Sequence, residues 1–143
     1  MKLLIVGCGR VGSAIASRMA ADGHDVSVID DDPEALARLP EDWPGRFVQG
    51  HALDLEVLID AGIETADACV VATDGDNTNI VIGQVAQQRF DNQCVVVRVL
   101  DPARAEFYRG RGLRTVCPTS VAIDVLLESV RACEVRPPEP SKT

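Results

Sequence analysis

The sequence lacks a long hydrophobic run, which excludes a protein that crosses a membrane by itself. Hydrophobic residues make up 46% of the 143 residues, yet no apolar run approaches the roughly 18 residues that span a bilayer. The apolar start Met1–Val6 meets Gly7 and is too short for the core of a secretion signal. We therefore expect a cytoplasmic protein with no direct membrane insertion.

Basic residues are also scarce. The chain has 14 Lys and Arg against 22 Asp and Glu, which gives a formal net charge of -8. A chain of this charge repels phosphate backbones and anionic lipid surfaces at long range. Nucleic acid is therefore not an expected partner.

The cysteines lack the close spacing of a metal or redox motif. Five cysteines are scattered without a C-x-x-C pair, and an odd number cannot form a complete set of intrachain disulfides. We predict reduced thiols and no metal site. Cys69 and Cys94 lie in apolar runs, where a free cysteine behaves as a small buried hydrophobic residue.

Apolar runs alternate along the chain with segments of helical spacing. The pattern predicts strands at 2–6, 25–30, 46–49, 68–72, 94–99 and 113–117. It predicts helices at 11–23, 33–39, 53–61, 79–90, 102–109 and 120–133. Asp76 or Thr78 is the candidate cap of the fourth helix.

This alternation predicts an α/β fold. Near-continuous apolar strands separated by helices indicate a parallel sheet with helices on both faces. Short right-handed crossovers then give a Rossmann-like, doubly wound, six-stranded sheet with the order 3-2-1-4-5-6. We predict one domain over residues 1–134, and a disordered tail or linker stub over the proline-rich residues 135–143.

A glycine-rich motif joins the first predicted strand to the first helix. It matches G-x-G-x-x-G, which is weak alone but stronger between a strand and a helix. The first glycine makes the tight turn, the second lets a pyrophosphate approach the backbone, and the third lets helix and strand pack closely. The helix amides then face the phosphates. The candidate residues are Gly7, Cys8 (through its backbone), Gly9, Arg10, Val11 and Gly12.

The end of the second predicted strand carries the acid that this motif requires. Asp30 would accept hydrogen bonds from the ribose hydroxyls of an adenosine, and it would repel the additional phosphate of NADP. The alternative is that residues 30–32 form only a solvated turn. Asp32 is the expected helix cap, and Asp31 fits either role. Arg10 opens a helix where a cation opposes the dipole, so we assign it to the ligand phosphates.

With these residues, the chain resembles the amino-terminal nucleotide-binding domains of the regulators of potassium conductance (RCK), also called KTN or Trk-type domains. The resemblance covers nearly the whole length. Besides the glycine motif, it rests on the segments 50–52, 57–58, 61–63, 66–67, 73–80, 98–102, 105–106 and residue 112.

The resemblance implies a function and a set of site residues. Domains of this family bind NAD(H) or an adenine nucleotide (ATP, ADP or AMP) and gate potassium channels or Trk/Ktr transporters. A membrane potassium-translocating subunit is therefore the implied partner. Residues 7–11 would hold the phosphates and Asp30 the ribose. The adenine would be contacted by His51 and Ala52, and the rest of the cleft would be lined by Thr73, Asp74 and Arg98.

Several of these assignments have alternatives. Thr73 and Asp74 could instead cap a helix, and Arg98 could form a surface salt bridge. His51 stands where the family commonly carries an aspartate, so it either contacts the base or is a loop histidine that touches nothing. Full family members usually continue into a carboxyl-terminal regulatory domain.

We expect a sensor and not an enzyme. A dehydrogenase holds an acid–base group and a substrate beside the nicotinamide, whereas the histidines here are only His24 in a turn and His51 near the expected adenine. The alternatives are an NAD-dependent oxidoreductase fragment, or a nucleotide-sensing domain for an unrelated partner. The last two helices carry apolar faces that predict a homodimer or a higher ring, through Phe107, Tyr108, Val121, Val125, Leu126, Leu127 and Val130.

Overall fold

The computed structural model describes residues 1–141 and contains six strands and six helices within them. The strands are β1 (Lys2–Val6), β2 (Asp25–Asp30), β3 (Arg46–Gln49), β4 (Ala68–Val71), β5 (Val95–Arg98) and β6 (Arg114–Val116). The α-helices are α1 (Arg10–Ala21), α2 (Leu55–Asp60), α3 (Asp76–Gln88), α4 (Pro102–Arg109) and α5 (Pro118–Arg131). A 3-10 helix covers Pro33–Arg38.

The strands form one parallel sheet in the order β3-β2-β1-β4-β5-β6. This confirms the predicted fold class and strand order. The chain winds outward from β1 in one direction and then from β4 in the other. The connections that leave the carboxyl ends of the adjacent strands β1 and β4 therefore run in opposite directions. In open α/β sheets, a ligand crevice lies at this point.

The core lies on both faces of the sheet, because consecutive strand residues point to opposite sides. Leu4 and Val6 pack in a cluster with residues of α2, α3 and α4, whereas Leu3 and Ile5 pack against α1 and the 3-10 helix. Cys69 is fully buried, and burial raises the pKa of its thiol to about 12. Cys94 is only half-buried.

Four helix starts differ from the predictions. Helix α1 begins one residue earlier than predicted and α2 two residues later, and the starts of α3 and α5 differ for physical reasons. Helix α3 begins at Asp76 with Gly75 at its N-cap, so the prediction that Asp76 or Thr78 caps it is wrong. The carboxylate of Asp76 accepts hydrogen bonds from the backbone N–H groups of Leu100 (2.8 Å) and Asp101 (3.1 Å) instead. Helix α5 begins two residues earlier than predicted, because Pro118 suits the first position of a helix.

The carboxyl-terminal part of the chain packs loosely. No residue of α5 is buried, and the structure assigns no helix or strand to residues 133–141. The last two residues of the predicted tail, 142 and 143, lie outside the described residues. Among the described residues, no helix combines the length and apolar character that crossing a membrane requires.

Candidate functional site

A cleft opens at the carboxyl edge of the sheet, beside the ends of β1, β2 and β4. Its volume is about 760 Å³, within the roughly 300–1,000 Å³ of small-molecule sites. Eleven of the thirteen predicted site residues line it: Gly7, Gly9, Arg10, Val11, Asp30, Asp31, His51, Ala52, Thr73, Asp74 and Arg98. The sequence therefore locates one continuous cleft.

The two predicted residues outside the cleft lining have structural roles. The Cys8 side chain is buried, and its Sγ lies 3.5 Å from the carbonyl oxygen of Ala35. Burial raises the pKa of this thiol, the Asp30 carboxylate raises it further, and Arg38 opposes both. At Gly12, a Cβ would lie 1.8 Å from the carbonyl oxygen of Gly7, so this glycine permits the helix to pack on the strand.

Gly7 and Gly9 shape the glycine loop in different ways: the backbone leaves no room for a side chain at Gly7, whereas the space at Gly9 is open. Gly7 has φ 102°, and a Cβ there would lie 2.5 Å from the carbonyl oxygen of Ala72. Gly9 caps α1 with φ -81°, and a Cβ there would meet nothing within 4 Å. Gly9 thus leaves the backbone open toward the cleft, and no acidic residue occupies the first turn of α1. The positive end of the α1 dipole therefore faces open space.

Asp30 joins the glycine loop to the turn after β2. Its Oδ2 accepts a hydrogen bond from the backbone N–H of Cys8 (2.8 Å), and its Oδ1 accepts one from that of Asp32 (2.9 Å). Each carboxylate oxygen has a second lone pair, so Asp30 can accept further bonds in the cleft. Asp32 caps the 3-10 helix by accepting from the N–H of Glu34 (2.9 Å), as expected.

Asp31 and His51 face each other at the mouth of the cleft. Asp31 Oδ2 and His51 Nε2 are 3.8 Å apart, and both side chains are exposed. The neighbouring Ala52 is buried, and the N–H of Gly50 donates to the carbonyl oxygen of Asp30 (3.0 Å). The strand end that carries Asp30 and the loop that carries His51 are therefore held together.

The opposite half of the cleft is built from the ends of β4 and β5. Arg98 Nη2 donates to the carbonyl oxygen of Thr73 at 2.6 Å, and it lies 3.9 Å from Asp74 Oδ1. The alternative of a surface salt bridge is confirmed in part, because Arg98 pairs with the fully exposed Asp74 although the Arg98 side chain is itself only 18% exposed. Neither Thr73 nor Asp74 is the N-cap of α3, which is Gly75.

Comparison with known proteins places the chain in a family. The family model of the TrkA-N domain matches residues 3–118. The chain belongs to the TrkA-N domain family. This confirms the resemblance to Trk-type domains inferred from the sequence.

A relative of this TrkA-N domain is the Trk system potassium uptake protein TrkA of Streptomyces coelicolor. The two are 42% identical over 127 residues, which cover 89% of this chain and 57% of the relative. The chain therefore spans little more than half the length of that protein.

Two solved structures share the fold of this TrkA-N domain. The TrkA-N domain of the inner membrane protein ybaL from Escherichia coli superposes with a TM-score of 0.80 at 22% identity, covering 90% of this chain and 96% of that chain. The GsuK channel bound to NAD superposes with a TM-score of 0.77 at 24% identity, covering 91% of this chain and 23% of that chain. At these identities the likeness shows a common fold.

Some residues that line the cleft of this TrkA-N domain were not predicted from the sequence. One of them is Arg38, whose Nη1 donates to the carbonyl oxygen of Cys8 (3.2 Å). Its position shortly after the acidic end of β2 could have indicated this role, because the segment that follows β2 lies next to the glycine loop. Thr78 lines the opposite half from the first turn of α3. The other additions are Val6, Ile29, Asp32, Gly50 and Ala72.

Proposed function

We propose that this TrkA-N domain binds an adenine nucleotide in the cleft and thereby regulates a potassium transporter or channel of the Trk/Ktr type. The observation that carries the proposal is the carboxylate of Asp30, which lies at the end of β2 and hydrogen-bonds the glycine loop at Cys8 N–H. This arrangement puts a ribose acceptor next to the amino end of α1, where phosphates are favoured.

The cleft fits the parts of a nucleotide in order. Asp30 accepts from the ribose hydroxyls, Gly9 lets a phosphate approach the backbone, and Arg10 supplies a positive charge at the same end of α1. His51 and Ala52 line the side assigned to the base. NAD(H) is the ligand we favour, and ATP, ADP or AMP is the alternative, because all share the adenosine half. The GsuK structure, which has a similar fold, is that of a channel bound to NAD.

We propose that a group of the ligand beyond the phosphates lies near Arg98. Within residues 1–141, the Nε of Arg98 is buried and has no hydrogen-bond partner. A buried donor without an acceptor costs about 1–3 kcal/mol. Arg98 also lines the cleft, so the positive charge of its guanidinium favours an oxygen-rich group in this half.

The proposed role is sensing and not catalysis. Among the cleft-lining residues that the structure describes, His51 is the histidine. It lies exposed at the mouth, on the side assigned to adenine, far from where a nicotinamide would react. A ligand then acts by binding two conformations of the domain with different affinities.

The proposed partner is a membrane subunit that translocates potassium. The Streptomyces coelicolor relative is named as a potassium uptake protein. We infer that the domain works in the cytoplasm, at the inner face of the membrane, where such a subunit would hold it.

We also propose that α5 forms the interface of a homodimer or of a higher ring. Its apolar side chains are exposed, with Leu126 at 64% and Val130 at 68%. Leu126 and Val130 are four residues apart, so they lie on one face of the helix. Charged residues follow a separate stripe that includes Asp124 and Glu128. A second copy would cover the apolar face.

A Leu126→Glu variant should be monomeric at concentrations where the unchanged chain is dimeric, because the charge would have to be buried without a partner. Light scattering at several protein concentrations measures this. Glu128→Lys is the matched control, since it changes the charge of the other stripe and should leave the dimer intact. A monomer in the unchanged chain would remove this interface from the proposal.

Calorimetric titration tests the ligand. We expect saturable binding of NAD+ or NADH, or of ATP, ADP or AMP, with GTP binding at least tenfold more weakly because its base differs. A preference between NADH and NAD+ would indicate a redox sensor, and a preference among the adenosine phosphates would indicate an energy sensor. If the protein binds none of these ligands, the proposed function is wrong.

A further inference from the structure

A buried asparagine ties together the two strands that form the half of the cleft opposite Asp30. Asn79 is 1% exposed and lies in the first turn of α3. Its Oδ1 accepts from the backbone N–H of Thr73 (2.9 Å) and from the Thr73 hydroxyl, and its Nδ2 donates to the carbonyl oxygens of Thr73 and Arg98 (3.0 Å each). The side-chain amide makes all the bonds that its two donors and one oxygen commonly make.

These bonds fix the positions of two residues that line the cleft. Thr73 follows the end of β4, and Arg98 is the last residue of β5. The Arg98 guanidinium also donates to the Thr73 carbonyl oxygen (2.6 Å), so Asn79, Thr73 and Arg98 form one closed network. In such buried networks, the loss of one member displaces the others.

The network does not extend to the adenosine half of the cleft. Asp30 is held by the N–H groups of Cys8 and Asp32, which are separate from the bonds of Asn79. A change at Asn79 therefore acts first on Thr73 and Arg98. The consequence is that a ligand confined to the adenosine half and a ligand that spans the cleft depend differently on this residue.

We propose that Asn79 is a positioning residue for the part of the nucleotide beyond the adenosine, which it acts on through Thr73 and Arg98. This rests on the proposed nucleotide function and deepens it. Asn79 does not line the cleft, so its contribution to affinity is indirect. It sets the distance and orientation of the Thr73 hydroxyl and the Arg98 guanidinium for the distal group of the ligand.

A second buried asparagine provides a matched control. Asn92 is 6% exposed, its Nδ2 donates to the carbonyl oxygen of Ala66 (3.0 Å), and its Oδ1 accepts from the N–H of Cys94 (3.0 Å). It thus joins the segments that lead into β4 and β5, at the opposite edge of the sheet from the cleft. Asn92 stabilises the same pair of strands without touching the site.

The experiment compares AMP, which ends near the adenosine half, with NADH, which spans the cleft. Asn79→Ala should raise the Kd for NADH at least tenfold and that for AMP less than threefold, by calorimetric titration. Asn92→Ala should leave both values within threefold, although urea denaturation should show that both variants are less stable than the unchanged chain. The ratio of the two Kd values is a readout that a general loss of stability does not move.

Other outcomes overturn the proposal in distinguishable ways. If Asn79→Ala weakens AMP and NADH equally, or if Asn92→Ala produces the same selective loss, Asn79 is a structural residue only. If the unchanged chain binds neither NADH nor AMP, the proposed role of Asn79 is wrong, and the proposed function itself is wrong only if NAD+, ATP and ADP do not bind either. If Asn79→Ala does not fold, Asn79→Ser is measured at a lower temperature, since its hydroxyl keeps one bond of the network. The same limits apply: an increase of at least tenfold in the Kd for NADH and of less than threefold in that for AMP.

Discussion

An Asp30→Asn variant should bind every adenine nucleotide about 100-fold more weakly, a loss of ~2.8 kcal/mol. Charged hydrogen bonds to the two ribose hydroxyls contribute about 1.5–3 kcal/mol each. The amide also presents N–H donors toward a site where the N–H groups of Cys8 and Asp32 already donate, so one of these contacts becomes repulsive. Calorimetric titration with NADH and AMP measures the effect, which should be similar for both.

A substitution of the neighbouring Asp31 distinguishes ribose binding by Asp30 from a general effect of negative charge at this site. Asp31→Asn removes the same charge from an exposed side chain, and exposed charge pairs contribute about 0–1 kcal/mol. We expect less than a fivefold change in affinity. If Asp30→Asn and Asp31→Asn have equal effects, the ribose assignment of Asp30 is wrong.

Substitution of Gly12 should have the largest effect on stability. In Gly12→Ala, the new Cβ would lie 1.8 Å from the Gly7 carbonyl oxygen and 2.8 Å from its carbonyl carbon. Both are backbone atoms, so either α1 or the end of β1 must move. Forcing extra volume into a packed site costs about 3 kcal/mol or more. Urea denaturation should show this decrease in the free energy of unfolding.

Gly9→Ala is the control for Gly12→Ala and tests the ligand side of the same loop. Its Cβ would meet nothing within 4 Å, and its φ of -81° suits any residue. The free energy of unfolding should fall by only about 1 kcal/mol, the typical effect of alanine at an N-cap. Nucleotide affinity should nevertheless fall at least tenfold, because the methyl group occupies the phosphate approach. Unchanged affinity would contradict phosphate binding at Gly9.

The fold could be predicted from the sequence because its signals are local. The predicted bounds of β1, β2 and β3 are those of the structure, since apolar residues recur within each strand and turn residues flank it. The last three strands are shorter than predicted by one or two residues. Their apolar runs extend beyond the assigned strands, since Val99 and Cys117 are buried outside them.

The sequence predicted the cleft residues whose positions are set by a local motif. It missed the roles that depend on contacts between residues distant in sequence. Spacing alone identifies the glycine loop and Asp30. Asp76 satisfies the composition of a helix cap, but the N–H groups of Leu100 and Asp101 compete for its carboxylate. Asn79 is one polar residue among several in α3, and only the approach of β4 and β5 shows what it bonds. Contacts separated by 19 or more residues leave no periodic trace in the chain.

Helix α5 has a thermodynamic consequence for the whole domain. A helix of 14 residues is marginal in water by itself, because nucleation is costly and most helical stability in proteins comes from packing. None of its residues is buried against the sheet, so the helix–coil equilibrium of this segment depends on what covers its apolar face. Any partner that binds only the helical form stabilises it by mass action. If a second copy of the chain is that partner, as proposed, the order of the last helix depends on protein concentration, whereas the order of the sheet does not.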